Sequence, residues 1–304
     1  MISIVMATYN GEKFIIEQLE SIRLQSMLPD EVLIFDDCST DGTVHLIEEY
    51  IKKYQLNRWH LIKNKKNKGY SKNFSDALKV TSGDIIFLSD QDDIWCHDKV
   101  KKMYDIISKN KKILLLASNV KPFYQGVNPQ KVNFENYCSL KEVIQIRNLY
   151  KWIKPVRPGC SFCFRRELLL NYEDIWFESY PHDCLLWGQA VLHNGAYLYN
   201  RCTTKFRRHD NNASSRSMRK KSNRIIVINT EVNIINKIIN SIESEQDSKR
   251  TVEKLKIQLN LYQKRIEALN EGNLIKILIL LHEIRMYGRP RLWLTDLYYC
   301  MRSN

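Results

Sequence analysis

Short apolar runs alternate with helically spaced apolar positions through the first half of the chain. Residues 2–6, 31–35, 59–63, 84–88 and 113–117 are apolar or β-branched runs of strand length. Between them Ile15, Leu19 and Ile22, and then Val44, Ile47 and Ile51, recur at the spacing of one helix face. Thr40 or Asp41 stands where an oxygen-bearing side chain would cap the second of these helices. Strand and helix in alternation predict an α/β fold, a mostly parallel sheet flanked by helices. From about Asn119 to Phe206 the pattern loosens into loops, short strands and aromatic positions.

After Arg208 the chain changes character. Residues 205–224 hold eight Lys or Arg against the single Asp210, and Gly and Pro then become scarce. Ile225, Ile228, Val232, Ile235, Ile239 and Ile242 follow a 3-4-3-4-3 spacing, and Val252, Leu255, Leu259, Tyr262, Ile266 and Leu269 repeat it after a polar break. That is the a/d pattern of two heptad helices joined as a hairpin. The expected organisation is therefore an α/β domain over 1–215 and a C-terminal helical region over 216–304. The hairpin at 225–269 either docks on the α/β domain or pairs two copies into a homodimer. The last segment, 274–302, mixes Ile, Leu, Trp293, Tyr298 and Tyr299 with Arg285, Arg289, Arg291 and Arg302. It reads either as an interfacial element on anionic lipid or as a helix capping the hairpin.

Ligands of open α/β sheets sit beyond the carboxyl ends of the strands. There this chain places Thr8-Tyr9-Asn10, then Asp36-Asp37, then Asp90-Gln91-Asp92-Asp93. Acids crowded at the end of a buried strand repel one another unless something cationic joins them. A divalent metal carrying a phosphorylated ligand is the natural occupant; the alternative is a polar loop whose aspartates cap the next helix. No GxGxxG follows the first strand and no GxxxxGK[ST] occurs, which sets aside dinucleotide and P-loop sites.

Charge and cysteines narrow the setting. The net charge of +13 over 304 residues implies an anionic partner, whether nucleic acid, membrane surface or phosphorylated substrate. No RNP-type aromatic pair or zinc-finger spacing accompanies it, so nucleic acid is not the expected partner. The eight cysteines are scattered and read as reduced thiols of a cytoplasmic protein. Cys160-x-x-Cys163 stands alone, without the second pair a zinc site needs. Residues 1–6 are too short and lack the basic leader of a signal peptide, and the apolar run 274–281, broken by Lys276, falls short of the ~18 residues of a span. The expected location is cytoplasmic, with peripheral contact on the inner face of the plasma membrane.

Ile4-Val5-Met6-Ala7-Thr8-Tyr9-Asn10, Phe35-Asp36-Asp37-Cys38-Ser39-Thr40-Asp41-Gly42-Thr43 and Ser89-Asp90-Gln91-Asp92-Asp93-Ile94-Trp95 resemble, in order and spacing, the inverting family 2 glycosyltransferases. The resemblance covers roughly 1–210 and implies the GT-A fold. Its QDDxW variant looks most like the bacterial branch that builds rhamnose-containing capsule, cell-wall and lipopolysaccharide O-antigen chains. The resemblance implies a nucleoside diphosphate sugar as donor, dTDP-rhamnose first and a UDP-hexose as the alternative. It implies a glycan or lipid-linked saccharide as acceptor. A catalytically dead scaffold is disfavoured, because none of the expected acids is missing.

The same resemblance assigns roles. Thr8 and Tyr9 match the loop that packs on base and ribose, and Asp37 matches the acid that accepts the pyrimidine N3–H. Asp36 is read as a turn former beside Ser39. Asp90, Asp92 and Asp93 match the DxD region: Asp92 as ligand of Mg²⁺ or Mn²⁺, Asp90 toward ribose or metal, Asp93 toward the donor sugar. Trp95 is read as packing. Asp183, after His182 in an HD pair, matches the general base that takes the acceptor's proton, and it also stands where it would cap a helix. Arg157-Pro158-Gly159-Cys160-Ser161-Phe162 resembles the acceptor-side segment, with Gly159 allowing close approach of backbone to sugar. His209 and Arg208 match a loop that reaches diphosphate and metal; the alternative for the arginines is a solvated basic face.

Overall fold

The computed structural model describes residues 1–134, 137, 140–147, 152, 154–178, 180–210, 212, 221–242, 249–287 and 290–301. The 215/216 boundary, Asn211, most of the basic run before Arg224, Arg289 and Arg302 lie outside the described residues. The described residues form two compact units. One holds 1–147, 154–170 and 181–212; the other holds Trp152, 171–180 and the residues from 221 onward.

The first unit is built on a mixed nine-stranded sheet. Its strands are β1 (Ile2–Thr8), β2 (Glu31–Asp36), β3 (Trp59–Lys63), β4 (Ile85–Asp90), β5 (Ile94–Trp95), β6 (Leu115–Tyr124), β7 (Val143–Gln145), β8 (Phe162–Arg165) and β9 (Ala196–Arg208). They run in the order β3-β2-β1-β4-β8-β6-β9-β5, with β7 also paired to β9. The β3-β2-β1-β4 half is parallel throughout. Beyond it β8 lies antiparallel to both β4 and β6, while β6 and β9 run parallel. The expected run at 113–117 is the start of β6, and the stretch read as loosened supplies β7, β8 and β9.

Helices α1 (Ile15–Arg23), α2 (Thr43–Lys53), α3 (Tyr70–Lys79) and α4 (Lys99–Lys109) follow β1, β2, β3 and β5. The spacing of α1 is the reason it packs: Ile15, Leu19 and Ile22 are all fully buried against Ile4, Met6 and Ile34 in one core. Each such side chain contributes about 1.5–3 kcal/mol by leaving water. In α2 the buried face is Thr43, Ile47 and Tyr50, with Val44 and Ile51 at its margin. The cap position of α2 is Gly42, yet Asp41 still serves it. Asp41 Oδ1 accepts the Thr43 N–H at 3.0 Å, and Thr43 bonds hold that carboxyl below its ordinary range despite burial.

The second unit contains α5 (Tyr172–Ile175), α7 (Lys221–Ile242), α8 (Lys249–Glu271), α9 (Leu274–Ile279) and α10 (Pro290–Met301); α6 (His182–Leu192) belongs to the first. The heptad positions Ile228, Ile235, Ile239, Ile242, Val252, Leu255, Tyr262 and Leu269 are buried, while Ile225, Val232, Leu259 and Ile266 are half-buried. The buried band is wider than an a/d seam because α10 also packs on α8. Asp296 of α10 is fully buried between two arginines, 2.8 Å from Arg224 Nε and 2.8 Å from Arg265 Nε. Trp293 Nε1 donates to the Ile277 carbonyl at 2.8 Å, tying α10 to α9. α10 thus packs on the hairpin helix α8 within the chain. Leu274, Ile275, Leu278 and Ile279 of α9, and Leu294, Tyr298 and Met301 of α10, stay exposed. Among the described residues no helix is long and apolar enough to cross a membrane.

Candidate active site

Strand register gathers the polar clusters. Thr8 at the end of β1 pairs with Asp36 at the end of β2, and Ala7 pairs with Asp90 at the end of β4. Thr8, Asp36 and Asp90 therefore stand side by side at the carboxyl edge of adjacent parallel strands. Thr8 Oγ1 donates to Asp36 Oδ2 at 2.9 Å, and Asp36 also accepts the Ser39 N–H (2.8 Å) and hydroxyl (2.5 Å). Asp36 is spent on the turn. The next residue but one, Cys38, takes φ of 66°, a left-handed conformation that this tight turn imposes.

Asp37 is also buried. Its Oδ1 accepts from Asn64 Nδ2 (2.9 Å) and the Lys68 N–H (2.8 Å), and Oδ2 accepts from the Gly69 N–H (2.7 Å). Gly69 takes φ of 81°, which aims its amide at the carboxylate and starts α3. A carboxylate has about four acceptor sites, so Oδ2 keeps capacity for one further donor. Tyr9, by contrast, is half exposed, and its backbone N–H and carbonyl are both engaged by the Gln91 amide at 2.8 and 2.9 Å.

The acid loop divides into an outward and an inward half. Asp92 Oδ2 lies 2.8 Å from His209 Nε2 and accepts from Asn212 Nδ2 at 3.0 Å; both Asp92 and His209 keep some exposure. Asp93 turns inward and is fully buried, with Oδ1 accepting the Arg207 N–H at 2.9 Å. Asp93 accordingly does not line the cleft toward which the sequence directed it. Burial, then Asp92 and Asp90, push its carboxyl well up. Burial, Asp92 and Asp183 push Asp90 up to about 7.

Beneath the loop lies a buried cation. Lys99 Nζ donates to the Cys160 carbonyl (2.7 Å) and Thr204 Oγ1 (2.9 Å), and sits 3.8 Å from the centroid of Trp95. Burial pulls its ammonium down to about 8. Trp95 is itself buried and packs on Phe87, the structural role expected of it.

Arg207, not Arg208, braces the acids. Its Nε donates to the Asp92 carbonyl at 2.6 Å, its guanidinium pairs with Glu17 and Gln125, and Phe14 and Phe123 flank it at 4.7 and 4.6 Å. Arg208 is buried as well, but its Nε points to the Gln130 carbonyl at 3.3 Å. Neither arginine belongs to a solvated face. In the sequence the two stand adjacent on one strand, and nothing there says which will carry the loop.

Across the cleft, Asp183 lies in the first turn of α6 behind Pro181, its Oδ1 accepting the Cys184 N–H at 2.9 Å. Pro181 holds the cap position, so Asp183 is not the capping residue. Gly159 sits against it: a Cβ there would fall 2.9 Å from Asp183 Cβ. The charge of Asp183 reaches both Asp90 and the half-exposed Tyr70, whose phenol is pushed up chiefly by burial and next by Asp183. His182 is buried, stacked on Phe74 at 4.0 Å and 22°, edge-on to Tyr70 at 6.3 Å, and pulled down to about 4 by burial.

The residues fit a hard divalent cation. Asp90, Asp93 and Cys160 have ligand atoms within 4.8 Å of one another; burial and the two aspartates push the Cys160 thiol well up, and sulfur is a poor partner for a hard cation. Of the partly exposed donors, Asp92 and His209 are in contact at 2.8 Å, an oxygen and an imidazole of the kinds that Mg²⁺ or Mn²⁺ accepts, and Asp90 stands two residues before Asp92 in the chain. Raised carboxyls in a cleft mark a site short of positive charge. Gln91, Arg207, Asn212, Lys99 and Tyr70 are the neighbours that sequence reading did not single out.

Known proteins resemble this chain in sequence and in fold. The chain is 32% identical over 218 residues to the dTDP-rhamnosyl transferase RfbG of Shigella flexneri, covering 68% of this chain and 72% of the relative. It is 34% identical over 181 residues to the poly(ribitol-phosphate) beta-N-acetylglucosaminyltransferase TarS of Staphylococcus aureus, spanning 58% of this chain but 29% of that relative. The fold matches the structure of S. aureus TarS 1-349 in complex with UDP-GlcNAc over 94% of this chain and 78% of that one, at a TM-score of 0.62 and 22% identity. A mannosyltransferase of Pyrobaculum calidifontis in complex with GDP-Man and Mn²⁺ matches over 99% of this chain and 84% of that one, at a TM-score of 0.55 and 17% identity. The sequence model of the family described as glycosyl transferase family 2 matches residues 3–172, and the chain belongs to that family of glycosyltransferases.

Proposed function

We propose that this enzyme moves a sugar from a nucleoside diphosphate donor to a saccharide hydroxyl with inversion at the anomeric carbon. The observation that carries the reading is the strand register that sets Thr8, Asp36 and Asp90 side by side at the carboxyl ends of β1, β2 and β4, with Asp183 near enough for its charge to raise Asp90. The nucleoside lies along Thr8 and Tyr9, and the spare acceptor site of Asp37 takes the N3–H of uracil or thymine. Asp92 and His209, with Asp90 beside them, would hold Mg²⁺ or Mn²⁺. When bound, that ion supplies positive charge against the departing diphosphate.

Asp183 is the general base. The acceptor oxygen forms its bond to the anomeric carbon as the bond from that carbon to the diphosphate oxygen breaks, and the hydroxyl proton passes to the Asp183 carboxylate. Arg207, Asn212 and buried Asp93 hold the acid loop in place without touching donor. Arg208, turned to Gln130, is left out of the diphosphate site, and buried His182 packs the wall of the acceptor side behind Asp183.

The donor is dTDP-rhamnose, the sugar nucleotide named for the Shigella relative, and the acceptor is a growing bacterial surface glycan, free or lipid-linked. Residues 1–215 do the chemistry. The exposed apolar residues of α9 and α10, with Arg285 in the segment between them and Arg291 on α10, rest on the inner face of the membrane near a lipid-linked acceptor. The test is a panel of dTDP- and UDP-sugars incubated with the purified enzyme, with Mn²⁺ or with chelator, and read as nucleoside diphosphate release. Metal-dependent release from dTDP-rhamnose is expected; release from a UDP-hexose instead reassigns the sugar, and release from none contradicts the reading. Flotation with anionic vesicles tests the membrane contact, which fails if protein cut at 273 floats as well as the full chain.

A further inference from the structure

We infer that Gln91 is a positioning residue that locks the nucleoside loop to the acid loop, a role that rests on the nucleotide-sugar reading of the site. Gln91 stands between Asp90 and Asp92, yet its side chain leaves the acids and crosses to the end of β1. There the amide meets both backbone groups of Tyr9: the Tyr9 N–H donates to Oε1 at 2.8 Å, and Nε2 donates to the Tyr9 carbonyl at 2.9 Å. A primary amide presents one acceptor and one donor on the same edge, so it satisfies the N–H and the carbonyl of one residue together. Gln91 thus ties the two loops to each other just past the last register pair of β1 and β4, Ala7 with Asp90.

Gly11 makes room for this. A Cβ built there falls inside contact distance of Gln91 Oε1 and Cδ, and 3.0 Å from Nε2, so any larger residue would push the amide off Tyr9. Gly11 is held in place from the other side, its N–H donating to Thr43 Oγ1 at 2.8 Å. Glycine is required here for space rather than for an unusual backbone angle; Asn10, at φ of 48°, makes the turn.

The consequence is positional. Tyr9 keeps a half-exposed ring while its backbone is fixed, so the base-facing surface and the acids are set at one spacing before any ligand arrives. A nucleoside diphosphate spans that spacing, with its base at Tyr9 and its diphosphate at Asp92. Pre-set spacing lowers the ordering cost of binding both ends together.

The experiment is a double-mutant cycle on binding of dTDP and UDP in the presence of Mn²⁺, measured by calorimetry on Gln91→Ala, Gly11→Ala and the double variant. Each single change is expected to weaken diphosphate binding about tenfold. The double variant is expected to bind no worse than Gln91→Ala, because the three atoms nearest the new methyl at 11 all belong to the amide that Gln91→Ala removes. Gln91→Glu, which keeps the acceptor but sets a carboxylate against the Tyr9 carbonyl, should fall with Gln91→Ala. Unchanged affinity in Gln91→Ala, or losses that multiply in the double variant, would overturn the lock. Failure of the unmodified enzyme to bind either nucleotide would instead strike the reading of the site itself.

Discussion

Asp183 lies so close to Gly159 that the glycine has no room for a side chain: a Cβ would come 2.9 Å from Asp183 Cβ and 3.4 Å from Oδ2. The carboxylate assigned as base is therefore shaped by the segment facing it as much as by its own helix. Gly159→Ala should displace Asp183 by a few tenths of an ångström and leave the donor loops untouched. We predict a kcat loss of about 10- to 100-fold with donor affinity unchanged, since small misplacements of a reacting group are costly. Steady-state kinetics with donor and acceptor varied separately decide it; a loss confined to donor KM would place Gly159 elsewhere.

The pairing of Asp92 with His209 and Asn212 predicts a graded metal defect. His209→Ala should weaken Mn²⁺ activation of the enzyme by at least tenfold in the metal concentration required. Asn212→Ala, which removes a support of Asp92 without removing a donor atom, should have a smaller effect. A titration of activity against Mn²⁺ separates the two, and equal metal dependence in His209→Ala and the unmodified enzyme would remove His209 from the ligand set.

How much of this was legible in the residues depended on whether local pattern or distant packing decided the outcome. Ile15, Leu19 and Ile22 predicted α1 because one apolar face sufficed, and the strand-end acids marked the cleft because β1, β2 and β4 are parallel neighbours. β9 was not visible as a single long strand, since Tyr197, Asn200, Arg201 and Lys205 interrupt any clean alternation and its partners β5, β6 and β7 lie far away in sequence. The inward turn of Asp93 follows from Arg207 and Lys99, neither of which carries a local signal. Arg224, Gln258 and Arg265 filled positions beside the heptad stripe because Asp296 and Trp152 supply partners from elsewhere in the chain.

That last arrangement predicts a large stability effect away from the chemistry. Asp296→Ala strips the shared carboxylate from two buried guanidinium groups and should destabilise by about 3–5 kcal/mol. Replacing Arg224, Arg265 and Asp296 together with apolar residues of similar volume should cost far less, because no buried charge is then left unpaired. Urea unfolding of the two variants measures the difference; similar losses in both would mean that packing, not charge, governs the site.

His182 predicts a pH signature. Burial beside Phe74 pulls its imidazole from 6.5 to about 4, so between those values the unfolded chain binds a proton that the folded chain refuses. Its contribution is intact above about pH 6.5 and is lost as pH falls toward 4, by up to about 3 kcal/mol. His182→Phe keeps the stack and removes the titration. Its stability relative to the unmodified enzyme should therefore rise as pH falls from 6.5 to 4; a difference independent of pH would show that the folded chain takes up the His182 proton as readily as the unfolded one.

The most direct test of the account is Asp183→Asn, measured for donor binding and for transfer on one preparation. Affinity for the dTDP-sugar in Mn²⁺ should stay within threefold of the unmodified enzyme, and transfer should fall by at least about 10²- to 10⁴-fold, the usual contribution of a general base. Near-normal turnover with bound donor would contradict it.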